Sequence, residues 1–144
     1  MIYKKNILNK ISSNKLSVSV IGLGYVGLPL SLLLSKKSHV IGIDIDKKKI
    51  NNLNSNKSYI ERIENRKIKV FNKNNIFSSD FSKISDTDFI LICVPTPLTK
   101  NGNPDLSYVR NAIAKTKPYL KKGQTIVLES TSYPGTTNDH IVKI

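Results

Sequence analysis

The sequence predicts an α/β fold: a doubly wound parallel sheet with helices on both faces. Three observations carry this. Strand-like apolar runs alternate with stretches of helical spacing along most of the chain, the pattern of a parallel sheet with crossover helices. One run, "DFILICV" at 88–94, is apolar throughout, as a central strand covered on both faces must be. The first strand leads into a glycine-rich turn that opens a helix.

The elements follow in order. Residues 1–15 precede the first strand; Ile7, Leu8 and Ile11 predict a short helix packed on the outside, read as an N-terminal helical extension. Residues 16–144 form the sheet domain. "LSVSVIG" (16–22) is the first strand, and "VGLPLSLLLSKK" (26–37) a helix buried on much of its circumference. "HVIGIDI" (39–45) is the second strand, and "DKKKINNLN" (46–54) a short helix with Ile50 and Leu53 inward. Residues 55–75 are polar, with a short helix near 61–71, and "IFSS" (76–79) is a short third strand. After the fourth strand at 88–94, "NPDLSYVRNAIAKTKPYL" keeps Leu106, Val109, Ile113 and Leu120 at helical spacing, with Asp105 as N-cap. "QTIVLE" (124–129) is the fifth strand, and "YPGTTNDHIVKI" begins another helix.

Composition narrows the function classes. A chain of 144 residues is one domain by length, and at that size roughly 68–70% of the unfolded surface can be buried. A single cysteine, Cys93, excludes an internal disulfide, and His39 and His140 lack metal-ligand spacing. The longest apolar run, around Leu28–Leu34, is too short for a bilayer, and the N-terminus has no signal-peptide core, so a cytoplasmic protein without membrane contact is expected. The net charge of +13 suggests nucleic acid, but 20 of the 23 basic residues are lysines. Lys, Asn and Ile together make up 54 of 144 residues, a bias that A/T-rich codons explain. The lysines are scattered, without the aromatic interleaving of single-strand binders, so no nucleic-acid partner is expected.

The chemistry-bearing motif is "VSVIGLGYVGLPL", with Gly22, Gly24 and Gly27 in G-x-G-x-x-G spacing between a strand and a helix. Gly22 permits the tight turn, Gly24 lets a pyrophosphate approach, and Gly27 packs helix on strand. The helix N-terminus offers unpaired N–H groups to the phosphates. Asp44, 22 residues after Gly22, ends the second strand, where a carboxylate accepts ribose hydroxyls and repels a 2′-phosphate; NAD is therefore the expected cofactor. The alternative for an acid here is capping of the next helix, which is the reading preferred for Asp46. The arrangement is Rossmann-like, and its ligand is expected where the first and fourth strands part. "PTP" (95–97) leaves the fourth strand there; Pro95 and Pro97 stiffen the exit, and Thr96 keeps an N–H and a hydroxyl for the cofactor. "ESTSYPGTT" ends the fifth strand in small hydroxyl residues, for which helix capping is the alternative.

The segments "VIGLGYVGLPL", "GIDID", "ICVPTPLTKNGNPDLSYV" and "LKKGQTIVLESTSYPGTT" resemble the N-terminal NAD-binding domain of the UDP-glucose/GDP-mannose dehydrogenase family. The resemblance covers nearly the whole chain. It is strongest to the UDP-N-acetylglucosamine 6-dehydrogenase branch, with UDP-N-acetylmannosamine dehydrogenases next. It implies that Tyr25 and Val26 contact the cofactor pyrophosphate, and that Asp44 binds the adenosine ribose with Lys49 close by. It implies that Thr96 lines the cofactor site, and that Thr131 lies near the nicotinamide and the reacting centre, beside Ser130 and Glu129. For Glu129 both a general base and a structural acid at a strand end fit.

Family members oxidise a sugar CH₂OH to a carboxylate with two NAD, holding the intermediate on a cysteine thiolate. Cys93 sits inside an apolar strand, where cysteine behaves as a small hydrophobe, and the family nucleophile lies far downstream. The expectation is a Rossmann domain truncated at its C-terminus. The family's central and C-terminal domains would be absent, and the chain inactive alone. A UDP-sugar would bind only with the missing part. The alternatives are a stand-alone NAD-binding module and an inactive product of a broken gene. An open sheet edge left by truncation adds homodimerisation as an expectation.

Overall fold

The computed structural model describes residues 2–138. Five parallel strands form one sheet: β1 (Ser17–Ile21), β2 (His39–Ile43), β3 (Ile76–Ser78), β4 (Phe89–Ile92) and β5 (Thr125–Leu128). Their spatial order is β3-β2-β1-β4-β5, so the strand order reverses beside β1 as a doubly wound sheet requires. Register is continuous across the middle: Val20 sits opposite Gly42 on one side and Leu91 on the other.

Because successive side chains in a strand point to opposite faces, each strand feeds two cores. On one face Val18, Val20 and Val40 pack with Leu28 of α2 (Gly27–Leu34), Ile50 and Leu53 of α3 (Lys47–Asn54), and Ile68 and Phe71 of α4 (Asn65–Phe71). The Phe71 ring stacks on Phe77 of β3 with centroids 4.2 Å apart. On the other face Ile21, Ile41, Ile43, Ile90 and Ile92 pack with Val109, Ala112 and Ile113 of α5 (Ser107–Thr116) and with Ile84. The polar exception on this face is Ser19, whose hydroxyl meets that of Thr87 at 2.9 Å, so burial leaves neither unsatisfied.

The sequence expectations meet the structure with four adjustments. The first helix forms as α1 (Ile2–Ser12), but Leu8 and Ile11 are about half exposed, at 53% and 49%. Among its described side chains, Lys10 links α1 to the sheet by pairing with Asp88, whose carboxylate also takes the N–H and hydroxyl of Ser17. Residues 81–86, given no element from sequence, form a 3-10 helix capped by Asp80. The expected helix over residue 120 stops at Thr116 and tightens into a 3-10 turn at Lys117–Tyr119, because Pro118 has no N–H to continue the ladder. Asp105 does cap α5, accepting the Ser107 N–H at 2.8 Å from one residue before the N-cap position, Leu106. The last expected helix begins at Thr136; its remainder, with His140, lies outside the described residues. No helix among the described residues is long and apolar enough to cross a membrane.

Candidate functional site

The cleft opens at the carboxyl ends of β1, β2, β4 and β5 and encloses about 680 Å³. Its floor is the turn after β1. Gly22 sits at φ +91°, a conformation that L side chains rarely adopt, and a Cβ there would lie 2.8 Å from the Cys93 carbonyl oxygen. Gly27 does not line the cleft; it is buried, and a Cβ there would lie 1.8 Å from the Gly22 carbonyl oxygen. Gly24 differs from both: nothing lies within 4 Å of the place its Cβ would take. That free space, directly over the turn, is a cradle a side chain would fill. Among the described residues, no backbone carbonyl accepts the N–H groups of Gly24, Tyr25 or Val26, and the first helical rung runs from Leu28 N–H to Gly24. Tyr25 and Val26 are exposed at the cleft edge, at 85% and 58%.

Asp44 follows β2 directly and is buried. Its Oδ2 accepts the Leu23 N–H at 2.9 Å and its Oδ1 the Asp46 N–H at 2.9 Å, with Lys49 Nζ 3.4 Å from Oδ2. Oδ1, with one N–H bound, keeps acceptor capacity, whereas Oδ2 has both of its lone-pair sites engaged. Asp46 is the N-cap of α3, accepting from Lys48 and Lys49, as the capping reading expects.

The β4 and β5 exits form the opposite wall. Pro95 and Thr96 line it, and Ser130 Oγ donates to the Val94 carbonyl at 2.7 Å. That bond occupies the Ser130 hydroxyl and locks the two strand ends together; it is neither a helix cap nor a free donor. Thr131 and Glu129 line the same end, Glu129 exposed and its N–H held by Ile92. Thus the structure brings to one cleft every sequence-predicted site residue except Gly27, which supports the turn from behind. Cys93 is buried against Gly27, and burial, with the Glu129 charge adding, pushes its thiol up to about 11. That is core packing, as expected, and not an activated thiol.

Two contributions escaped the sequence reading. Tyr59, from the polar stretch between α3 and α4, lines the cleft and donates its hydroxyl to the Leu23 carbonyl. Lys49 Nζ lies 5.7 Å from its ring centroid. Burial first, then the charges of Asp44 and Asp46, push the Tyr59 hydroxyl well above the ordinary tyrosine value, so it remains a donor. Tyr108, Asn111 and Lys115, one face of α5, line the far wall with Phe81. Spacing 108, 111, 115 is one helical face, a signal legible in the sequence; nothing local marked Tyr59.

The cradle over Gly24, the free N–H groups and the buried carboxylate at the end of β2 fit a dinucleotide. Comparison with known proteins agrees. Residues 16–144 match the model of the UDP-glucose/GDP-mannose dehydrogenase family, NAD binding domain. The chain is 36% identical over 137 residues to the UDP-N-acetyl-D-glucosamine 6-dehydrogenase of Salmonella typhi, covering 91% of this chain and 31% of that protein. It is 35% identical over 146 residues to the UDP-N-acetyl-D-mannosamine dehydrogenase of Methanocaldococcus jannaschii, covering 95% and 34%. In a crystal structure of a GDP-mannose dehydrogenase ternary complex from Pseudomonas aeruginosa, 88% of this chain superposes on 31% of that one, with TM-score 0.80 and 34% identity. The chain spans about a third of the length of these relatives.

Proposed function

Because the chain belongs to the UDP-glucose/GDP-mannose dehydrogenase family through its NAD-binding domain, we propose that it is the NAD-binding part of a nucleotide-sugar 6-dehydrogenase. The sugar nucleotide we assign is UDP-N-acetylglucosamine, with UDP-N-acetylmannosamine next, the substrates named for two relatives. The observation that carries the cofactor reading is the empty space over Gly24 in a cleft that the buried Asp44 also lines.

Residues then divide along the cleft. The backbone at Gly22, Gly24, Tyr25 and Val26 takes the pyrophosphate. Asp44 accepts from the adenosine ribose, and Lys49, held at 3.4 Å, fixes that carboxylate. Pro95 and Thr96 form the wall on the β4 side. Ser130 holds the β4 and β5 ends in register, and Thr131 positions the nicotinamide. Bound NAD supplies the hydride acceptor. Glu129, exposed at that end, is our candidate to take the proton at a carboxylate oxygen. We assign residues 1–15 as a helical extension and 16–144 as the cofactor domain. The UDP-sugar binds only together with family segments outside these residues. A homodimer through the β5 edge and a cytoplasmic location complete the proposal.

Titration of the 144-residue chain with NADH and NADPH tests it. NADH is expected to bind, and NADPH about tenfold or more weaker, since Asp44 repels a 2′-phosphate. Absence of NADH binding, or equal affinities, overturns the reading. Turnover of a UDP-sugar by this chain alone overturns its dependence on further segments.

A further inference from the structure

Leu23 is gripped from both sides. Its N–H is taken by Asp44 Oδ2 at 2.9 Å, and its carbonyl by the Tyr59 hydroxyl, 36 residues away. The two gripping groups are themselves linked: Lys49 Nζ lies 3.4 Å from Asp44 Oδ2 and 5.7 Å from the Tyr59 ring centroid. Leu23 is fully buried and immediately precedes Gly24, the residue with open space above it. The peptide plane between Leu23 and Gly24 therefore has its oxygen fixed by Tyr59 and its N–H aimed away from that oxygen, unpaired among the described residues. A peptide is planar, so fixing one end fixes the other.

We propose that Tyr59 is a positioning residue for the dinucleotide. Its hydroxyl holds the Leu23 carbonyl so that the Gly24 N–H stays aimed at the pyrophosphate, while Asp44 holds Leu23 from the other side and serves the ribose. The inference rests on the cofactor reading above. It places a determinant of pyrophosphate binding in the segment between α3 and α4, outside the glycine turn itself. Without the hydroxyl, the Leu23–Gly24 peptide loses its tether. The turn then pays an ordering cost on binding that the intact chain has already met during folding.

The test is Tyr59→Phe, which removes the hydroxyl and keeps the ring beside Lys49. NADH and adenosine are titrated into both chains; the chain has no tryptophan, so NADH fluorescence is read directly. Tyr59→Phe should raise the Kd for NADH about tenfold and that for adenosine less than about twofold, because adenosine carries no pyrophosphate. Equal NADH affinity in the two chains overturns the proposal. So does a parallel loss of NADH and adenosine, which marks general structural damage. Failure of the unaltered chain to bind NADH is a different result and refutes the cofactor reading itself. Should Tyr59→Phe not fold, the unaltered chain still answers. Leu-Gly occurs once in the sequence, so 13C-carbonyl leucine with 15N-glycine singles out the Leu23–Gly24 peptide by NMR. The Leu23 carbonyl shift should stay at its hydrogen-bonded value when NADH binds; a move to the free-carbonyl value overturns the proposal.

Discussion

Gly22 and Gly27 close the turn on each other: a Cβ on Gly27 would lie 1.8 Å from the Gly22 carbonyl oxygen. Gly24, between them in sequence, faces open space. The same substitution should therefore have opposite consequences. Gly27→Ala should cost about 3 kcal/mol or more, because backbone and not a flexible side chain must move. Gly24→Ala should shift the melting temperature by less than about 2 °C yet weaken NADH at least about tenfold. Thermal melts paired with NADH titrations separate the two. A Gly24→Ala chain that binds NADH normally would remove the cradle from the argument.

Asp44 both orders the turn and faces the cleft, so Asp44→Asn should affect two readouts. The amide can turn only one oxygen to the Leu23 and Asp46 N–H groups, leaving the other donor against an NH₂. Stability should fall by about 1–3 kcal/mol, and the preference for NADH over NADPH should narrow. Parallel titrations with both nucleotides check it; an unchanged preference would mean that Asp44 does not read the ribose.

Asp88 lies at the other end of the sheet from the cleft. Burial raises its pKa, but the bonds from Lys10 and Ser17 outweigh this and hold it below its ordinary value of 3.8. A carboxylate lowered in the folded state contributes stability above its unfolded value and loses it as pH falls through the folded one. Melting temperatures of the unaltered chain and of Asp88→Asn should differ at neutral pH and converge once the pH is well below 3.8. A constant gap across that range would show that the carboxylate charge is not what counts.

Cys93, with its thiol pushed up to about 11 by burial, should resist thiol reagents at neutral pH in the folded chain and react on unfolding. Cys93→Ala should keep NADH binding, since the side chain packs behind Gly27 and supplies no bond to the cleft. Loss of binding in a folded Cys93→Ala chain would contradict the packing role.

The strands, the glycine turn and Asp44 were legible because their signals are local. A strand buried on both faces reads as an unbroken apolar run, and the turn needs its glycines at fixed offsets. What was not legible depends on partners distant in sequence. Leu8 and Ile11 have helical spacing, but both are about half exposed, and Lys10 of the same helix reaches Asp88, 78 positions away. Ser130 reads as a cap or cofactor donor, yet its hydroxyl is used by a carbonyl 36 positions away. Tyr59 sits in a polar stretch without periodicity, and its role exists only through a bond to Leu23.

The strand order has a kinetic consequence. β1 pairs with β4, which follows it by some seventy residues, and β5 can join only after β4 is in place. The β4–β5 wall of the cleft therefore forms only through the distant pairing of β4 with β1, and distant pairings are the slow ones in folding. A refolding chain should gain helix signal and bury Phe71 on Phe77 before it can quench or enhance NADH emission. Nucleotide capture, followed in real time, would then serve as a clock for the final docking of β5 onto its neighbour.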